Sequence, residues 1–225
     1  MRAGARRGRV LVRRPRPGPG RPPGPSQAGA LRKALVAAAT RQYADGGRAG
    51  ISFGALAAAV GLHKATVFHY FATKDAVIAA VFAELGDELA AHRTAWFAPP
   101  PASYAARLER AIGELVDFYE QDPLRARVIC HGLLDGTGTR EAGAEPALAA
   151  FVADFVAFLR AGMDAGEFHP VDPAGLMMTI GGMILFEQML PPVARRTYGR
   201  GTPVSARRQE LIALVCRAVV KGVRR

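Results

Sequence analysis

The sequence holds two cysteines in 225 residues. Cys130 and Cys216 lie far apart in apolar helical surroundings and read as buried thiols, not as a disulfide or a metal pair. No apolar run reaches the roughly 18 residues that span a bilayer. The longest, around Leu176 to Leu185, is broken by Thr179, Gly181 and Gly182. The arginine-rich start is not followed by a signal-type apolar segment with a small-residue cleavage site. A soluble, cytoplasmic protein without a membrane partner is therefore expected. The histidines (His63, His69, His92, His131 and His169) show no metal-ligand spacing, and no glycine-rich phosphate loop follows a strand. No serine, cysteine or acidic residue stands in a recognisable nucleophile setting. These absences argue against an enzyme and against a cofactor or metal. Strand-type alternation is also missing, as is any repeat of 20 to 50 residues, so the chain is predicted to be all-α.

Positive charge is abundant, with a formal balance of +11. Such an excess favours nucleic acid or anionic surfaces. Eight arginines (Arg2, Arg6, Arg7, Arg9, Arg13, Arg14, Arg16 and Arg21) fall in the first 25 residues, which contain no acid. Past them the chain is only mildly basic. Residues 1–26 are rich in Arg, Pro and Gly, and Pro15, Pro17, Pro19, Pro22, Pro23 and Pro25 exclude helix, so a disordered basic arm is predicted. It reads either as a solvated tail or as an arm that grips phosphates or enters a minor groove.

Beyond the arm the pattern turns helical. Leu31, Leu35, Ala38, Ala39 and Tyr43 form one face of a first helix that ends at Gly46-Gly47. Ser52 is a good N-cap for a short second helix over Phe53–Ala59, and a third follows over His63–Tyr70. Lys74 and Asp75 open a longer fourth, with Val77, Ile78, Val81, Phe82 and Leu85 along one face. After Pro99-Pro100-Pro101 come helices predicted at Ser103–Glu120, Pro123–Leu134, Pro146–Ala165, Asp172–Leu190 and Ser205–Val223.

The most informative set is Leu56, Ala57, Val60, Gly61, Leu62, Val67 and Tyr70. Ala57 is small where the third helix must cross close over the second. Gly61 permits the φ > 0 turn between two short helices. Leu56, Val60, Leu62 and Val67 fix the crossing that projects the third helix outward.

At this point the chain resembles the TetR family of transcriptional regulators. The family pattern is approximately Val-Ser-x-Gly-Thr-Leu-Tyr-His-Tyr-Phe, two residues, then Lys-Glu or Lys-Asp. Here it reads Leu62, His63, Lys64, Ala65, Thr66, Val67, Phe68, His69, Tyr70, Phe71, Ala72, Thr73, Lys74, Asp75. Close resemblance spans about residues 28–85, and the remainder matches in helical layout alone. It implies a helix-turn-helix domain at 27–88 that binds double-stranded DNA and a helical ligand-binding and dimerisation domain at 89–225. Lys64 and Thr66 would reach base edges or adjacent phosphates, His69 and Tyr70 the sugar-phosphate backbone, and Lys74 with the first N–H groups of the fourth helix a phosphate. Phe71 would anchor the interior, and Ser52, His63, Ala65 and Phe68 complete the DNA-facing set. Three residues depart from the pattern. His63 in place of serine removes a strong N-cap, at about 1 kcal/mol. Ala65 replaces a glycine that would allow close backbone approach. Phe68 lacks the hydroxyl that a tyrosine would offer to a phosphate.

For the second domain the resemblance implies an unidentified small-molecule effector and a homodimer. Phe118, Phe155, Phe158, Met178, Met183 and Phe186, with Phe151 and Met177 nearby, are candidates to line an apolar pocket, and Arg127, His131 and Glu187 to orient a ligand in it. The plainer reading keeps the apolar residues as core and the polar ones as surface or internally paired. The last two helices would form the dimer's four-helix bundle, with Gly181 and Gly182 permitting close approach. Recognition helices roughly 34 to 36 Å apart would then read a near-palindrome. Ligand-relieved repression follows if the ligand favours the wrong spacing, with a coupling of about 1–3 kcal/mol. The competing reading is a nonspecific DNA-binding protein driven by the arm.

Overall fold

The computed structural model describes residues 25–97, 103–135, 145–190, 196–197, 199 and 203–222. Residues 1–24 of the predicted arm lie outside them. The described residues form nine helices: α1 Pro25–Gly50, α2 Phe53–Ala59, α3 Lys64–Tyr70, α4 Lys74–Phe97, α5 Tyr104–Gln121, α6 Pro123–Leu134, α7 Glu145–Asp164, α8 Pro173–Met189 and α9 Val204–Val219. The fold is all-α. No described helix is long and apolar enough to cross a membrane.

Local chemistry sets most helix starts. Pro25, assigned to the arm from its sequence, instead opens α1, where a missing N–H costs nothing. Ser103 caps α5 by accepting from the Ala106 N–H at 3.2 Å. Asp122 and Asp172 do the same for α6 and α8, each followed by proline at the first helical position. α1 keeps helical geometry to Asp45, then kinks at Gly46 (φ −147°) and Gly47 (φ +56°) before a last short turn to Gly50. α9 stops at Val219 and not at Val223. There the chain leaves the helix for an isolated antiparallel bridge between Phe168 and Val220. His169 N–H donates to Val219 O at 2.8 Å and Lys221 N–H to Glu167 O at 2.8 Å.

Two apolar cores result. The first joins α1 to α4 through Leu35, Ala39, Tyr43, Ile51, Leu56, Val67, Phe71, Ile78 and Phe82, and takes buried Val128 from α6, with Leu124 of the same helix packed against it. The second gathers Leu89 with α5 to α9 around Leu108, Ile112, Phe118, Phe158, Leu159, Phe168, Ile180 and Val219. Each fully buried large apolar side chain is worth about 1.5–3 kcal/mol. α4 runs through both cores, and Leu85 packs against each. Cys216 is buried as read from its sequence, whereas Cys130 is only half-buried.

Candidate nucleic-acid interface

The α2–α3 pair is fixed by a few local contacts. The Ser52 hydroxyl accepts from the Ala55 N–H, and the Ser52 N–H donates to Gln42 Oε1 at 2.9 Å, tying the start of α2 to α1. Leu62 N–H donates to Ala57 O at 2.8 Å across the turn, where Gly61 has φ +68°. Val67 is fully buried beneath α3, and Phe71 is anchored with Arg32's guanidinium 5.4 Å over its ring. Burying Val67 turns the opposite face outward. Lys64, Ala65, Phe68 and His69 are exposed there, with Thr66 and Tyr70 half-buried beside them. Phe68 packs edge-on against Phe53 of α2 with ring centroids 4.6 Å apart, and Lys64 Nζ lies 5.9 Å from the Phe68 ring centre. His63 occupies the N-cap of α3 in extended geometry and makes no side-chain cap bond.

α4 begins next to this face. Lys74 is exposed, and Thr73 Oγ1 accepts from the Ala76 N–H at 3.1 Å. Sequence reasoning passed over Thr73, although a threonine three residues before a helical N–H is a cap signal. It also missed Arg48, which pairs with both carboxylate oxygens of Asp75 in the first turn of α4. The two are 27 residues apart, so no local pattern announces the pair. All nine expected DNA-facing residues thus lie on α3 or at the ends of α2, α3 and α4.

The nine residues suggested for a ligand pocket do not converge. Phe118, Phe155 and Phe158 are buried in the second core. Phe155 and Phe158 lie 6.5 Å apart, and Phe118 is capped by Arg125's guanidinium at 4.2 Å. Met183 packs on that core from one side. Met178 and Phe186 face outward on α8, 72% and 59% exposed. Glu187 is paired with Arg207 of α9 at 3.4 Å. Arg127 and His131 turn the other way, toward α1: Arg127 binds Asp45 at 2.9 Å and the His131 ring sits edge-on to Tyr43 at 6.0 Å. A narrow apolar cleft of about 20 Å³ lies elsewhere. It is lined by Phe82, Leu85, Gly86 and Leu89 of α4, Ile129 and Leu133 of α6, and Leu148 of α7. The i, i+3, i+4, i+7 spacing on α4 and i, i+4 on α6 were the available signal.

α6 also grips the kink of α1. Asp135 Oδ2 accepts from the Arg48 N–H at 3.0 Å and from the Tyr43 hydroxyl at 3.4 Å. A Cβ at Gly47 would stand 2.9 Å from both Asp135 Oδ2 and His131 Nδ1, so the close approach requires glycine. Burial raises the Cys130 thiol above its ordinary range, and burial followed by the charge of Glu109 pushes Cys216 up to about 11. Neither is poised as a nucleophile. Among the described residues no group of three or more His, Cys, Asp or Glu is placed to hold a metal ion.

Two family models match this chain. One, described as "Bacterial regulatory proteins, tetR family", covers residues 35–81, and the other, "Tetracyclin repressor-like, C-terminal domain", covers residues 101–186. No curated protein matches the sequence. Among solved structures, SCO4942 from Streptomyces coelicolor is 24% identical with a TM-score of 0.65, over 84% of this chain and 98% of its own. The ketosteroid transcriptional regulator KstR2 of Mycobacterium tuberculosis is 18% identical with a TM-score of 0.68, over 84% and 95%. AibR in complex with isovaleryl coenzyme A and operator DNA is 18% identical with a TM-score of 0.68, over 82% and 97%.

Proposed function

The chain belongs to the TetR family of bacterial transcriptional regulators, DNA-binding proteins that respond to ligands and are not enzymes, and from that premise we propose that it is a homodimeric repressor released from a near-palindromic operator by a small, largely apolar ligand. The observation that carries this reading is the outward face of α3. Val67 buries one side, so Lys64, Ala65, Thr66, Phe68, His69 and Tyr70 are presented on the other. A helix of this size with such a face fits the major groove. Lys64 and Thr66 read bases, whereas His69, Tyr70 and Lys74 hold the sugar-phosphate backbone. Ser52 and His63 bring the two helix starts to the DNA surface. The head spans residues 27–88 and the regulatory part 89–225, and the basic arm adds sequence-independent affinity.

The dimer forms through α8 and α9. Met178, Gly182, Phe186 and Leu190 recur every four residues along α8 and onto its C-cap, with the three large side chains exposed and open space around Gly182. Leu214 of α9 is exposed as well. An apolar stripe with glycine at its centre suits close packing on a second copy. The effector's hydrocarbon part enters at the narrow cleft between α4, α6 and α7, which has to widen to admit it and whose lining offers it no charge and no side-chain hydrogen bond.

Selection of genomic fragments by the purified protein at near-physiological salt tests the reading. A few recovered sites sharing a near-palindrome support it. A featureless spread, with affinity collapsing alike for all sequences as salt rises, would assign DNA contact to the basic arm instead.

A further inference from the structure

Phe68 is 45% exposed on the face that carries Lys64 and Thr66, among the few large apolar side chains the described residues leave in contact with solvent. Its ring is held in place: Phe53 of α2 meets it edge-on at 4.6 Å, and Lys64, one turn earlier, keeps its ammonium 5.9 Å from the ring centre. A phenyl ring offers a phosphate no hydrogen bond. In the major groove the apolar feature that distinguishes one base pair from another is the 5-methyl group of thymine. A half-exposed ring without a hydroxyl, held between Phe53 and the Lys64 ammonium on the outward side of α3, matches that group and little else in the groove.

We infer that Phe68 is a specificity-determining residue that reads the 5-methyl group of one thymine in each half-site. This rests on α3 being the recognition helix. The burial of one methyl-sized group against the ring is worth about a fourfold change in affinity per half-site, and about fifteenfold when both half-sites of the dimer lose it.

Replacing thymine by deoxyuridine removes the methyl and leaves every hydrogen-bonding group of the base pair in place. The probe is the duplex recovered by the wild-type chain in the genomic selection, with each thymine replaced singly and binding followed by fluorescence anisotropy. For the wild type, one thymine per half-site is expected to cost about fourfold on replacement. For Phe68→Ala, checked for fold by its melting curve, the same replacement is expected to cost nothing further, while Phe68→Leu retains part of the dependence. Phe68→Ala also frees Lys64, so its bare affinity decides nothing, and the difference between the two duplexes does. If no thymine behaves this way, or if the loss persists unchanged in Phe68→Ala, the inference is overturned although the helix-turn-helix reading stands. If the wild type recovers no shared sequence, the reading beneath it fails, and the inference fails with it.

Discussion

His63 holds the N-cap position of α3 with extended backbone (φ −79°, ψ 144°) and contributes no side-chain bond to the helix. The geometry a serine needs is already present. Exchanging His63→Ser is therefore expected to add about 1 kcal/mol to stability, read as a rise of a few degrees in the thermal midpoint. An unchanged or lower midpoint would show that the imidazole contributes something the cap does not replace. At this scale the sequence is legible wherever cause and effect are neighbours. Ser52 caps a helix starting one residue later, and Gly61 turns the chain it sits in. Thr73 was equally readable by the same rule. Arg48 was not, because its meaning depends on Asp75, which only the fold brings to it.

Helix boundaries follow the same division. Ser103, Asp122 with Pro123, and Asp172 with Pro173 are local signals, so the starts of α5, α6 and α8 are readable to within a residue. The end of α9 is set by a bridge to Phe168, some fifty residues earlier, and no periodicity within α9 reveals it. α8 poses a different difficulty. It is apolar nearly all round, so residue type alone does not separate Met183, which packs inward, from Met178 and Phe186, which face out. That is why a pocket inferred from aromatic and methionine content scattered over three surfaces.

α6 has the clearest consequence among the elements. Ile129 and Leu133 line the apolar cleft, while Asp135, one residue past the helix, holds the kink of α1 through Arg48 and Tyr43. Arg48 in turn grips the first turn of α4 through Asp75. Asp135→Ala leaves all proposed DNA contacts in place but frees the head's orientation. It is expected to lower the preference for operator over scrambled duplex, within the roughly 5- to 150-fold span of a coupling of about 1–3 kcal/mol, with nonspecific affinity unchanged. Competition binding of the two duplexes measures this, and an unaltered preference would mean that the head is oriented without α6.

For the whole molecule the decisive surface is the stripe on α8. Phe186 is 59% exposed and lies four residues from Gly182 and from Leu190. In the proposed dimer a charge at this position is buried between two copies without a partner, so Phe186→Asp is expected to sediment as a monomer at micromolar concentration. Its operator affinity should fall with it, since two half-sites would then be bound independently. A variant that stays dimeric would place the interface on another face.

The first core is completed by Val128, a residue of α6 that is 1% exposed and belongs to the other half of the sequence. A head cut at residue 88 would lose that side chain and uncover the pit it fills, together with the two bonds from Asp135 that brace the kink. The chain is thus poorly suited to being rebuilt from interchangeable parts: a hybrid that borrows another reading head must take α6 with it, or repair the socket that Val128 leaves behind.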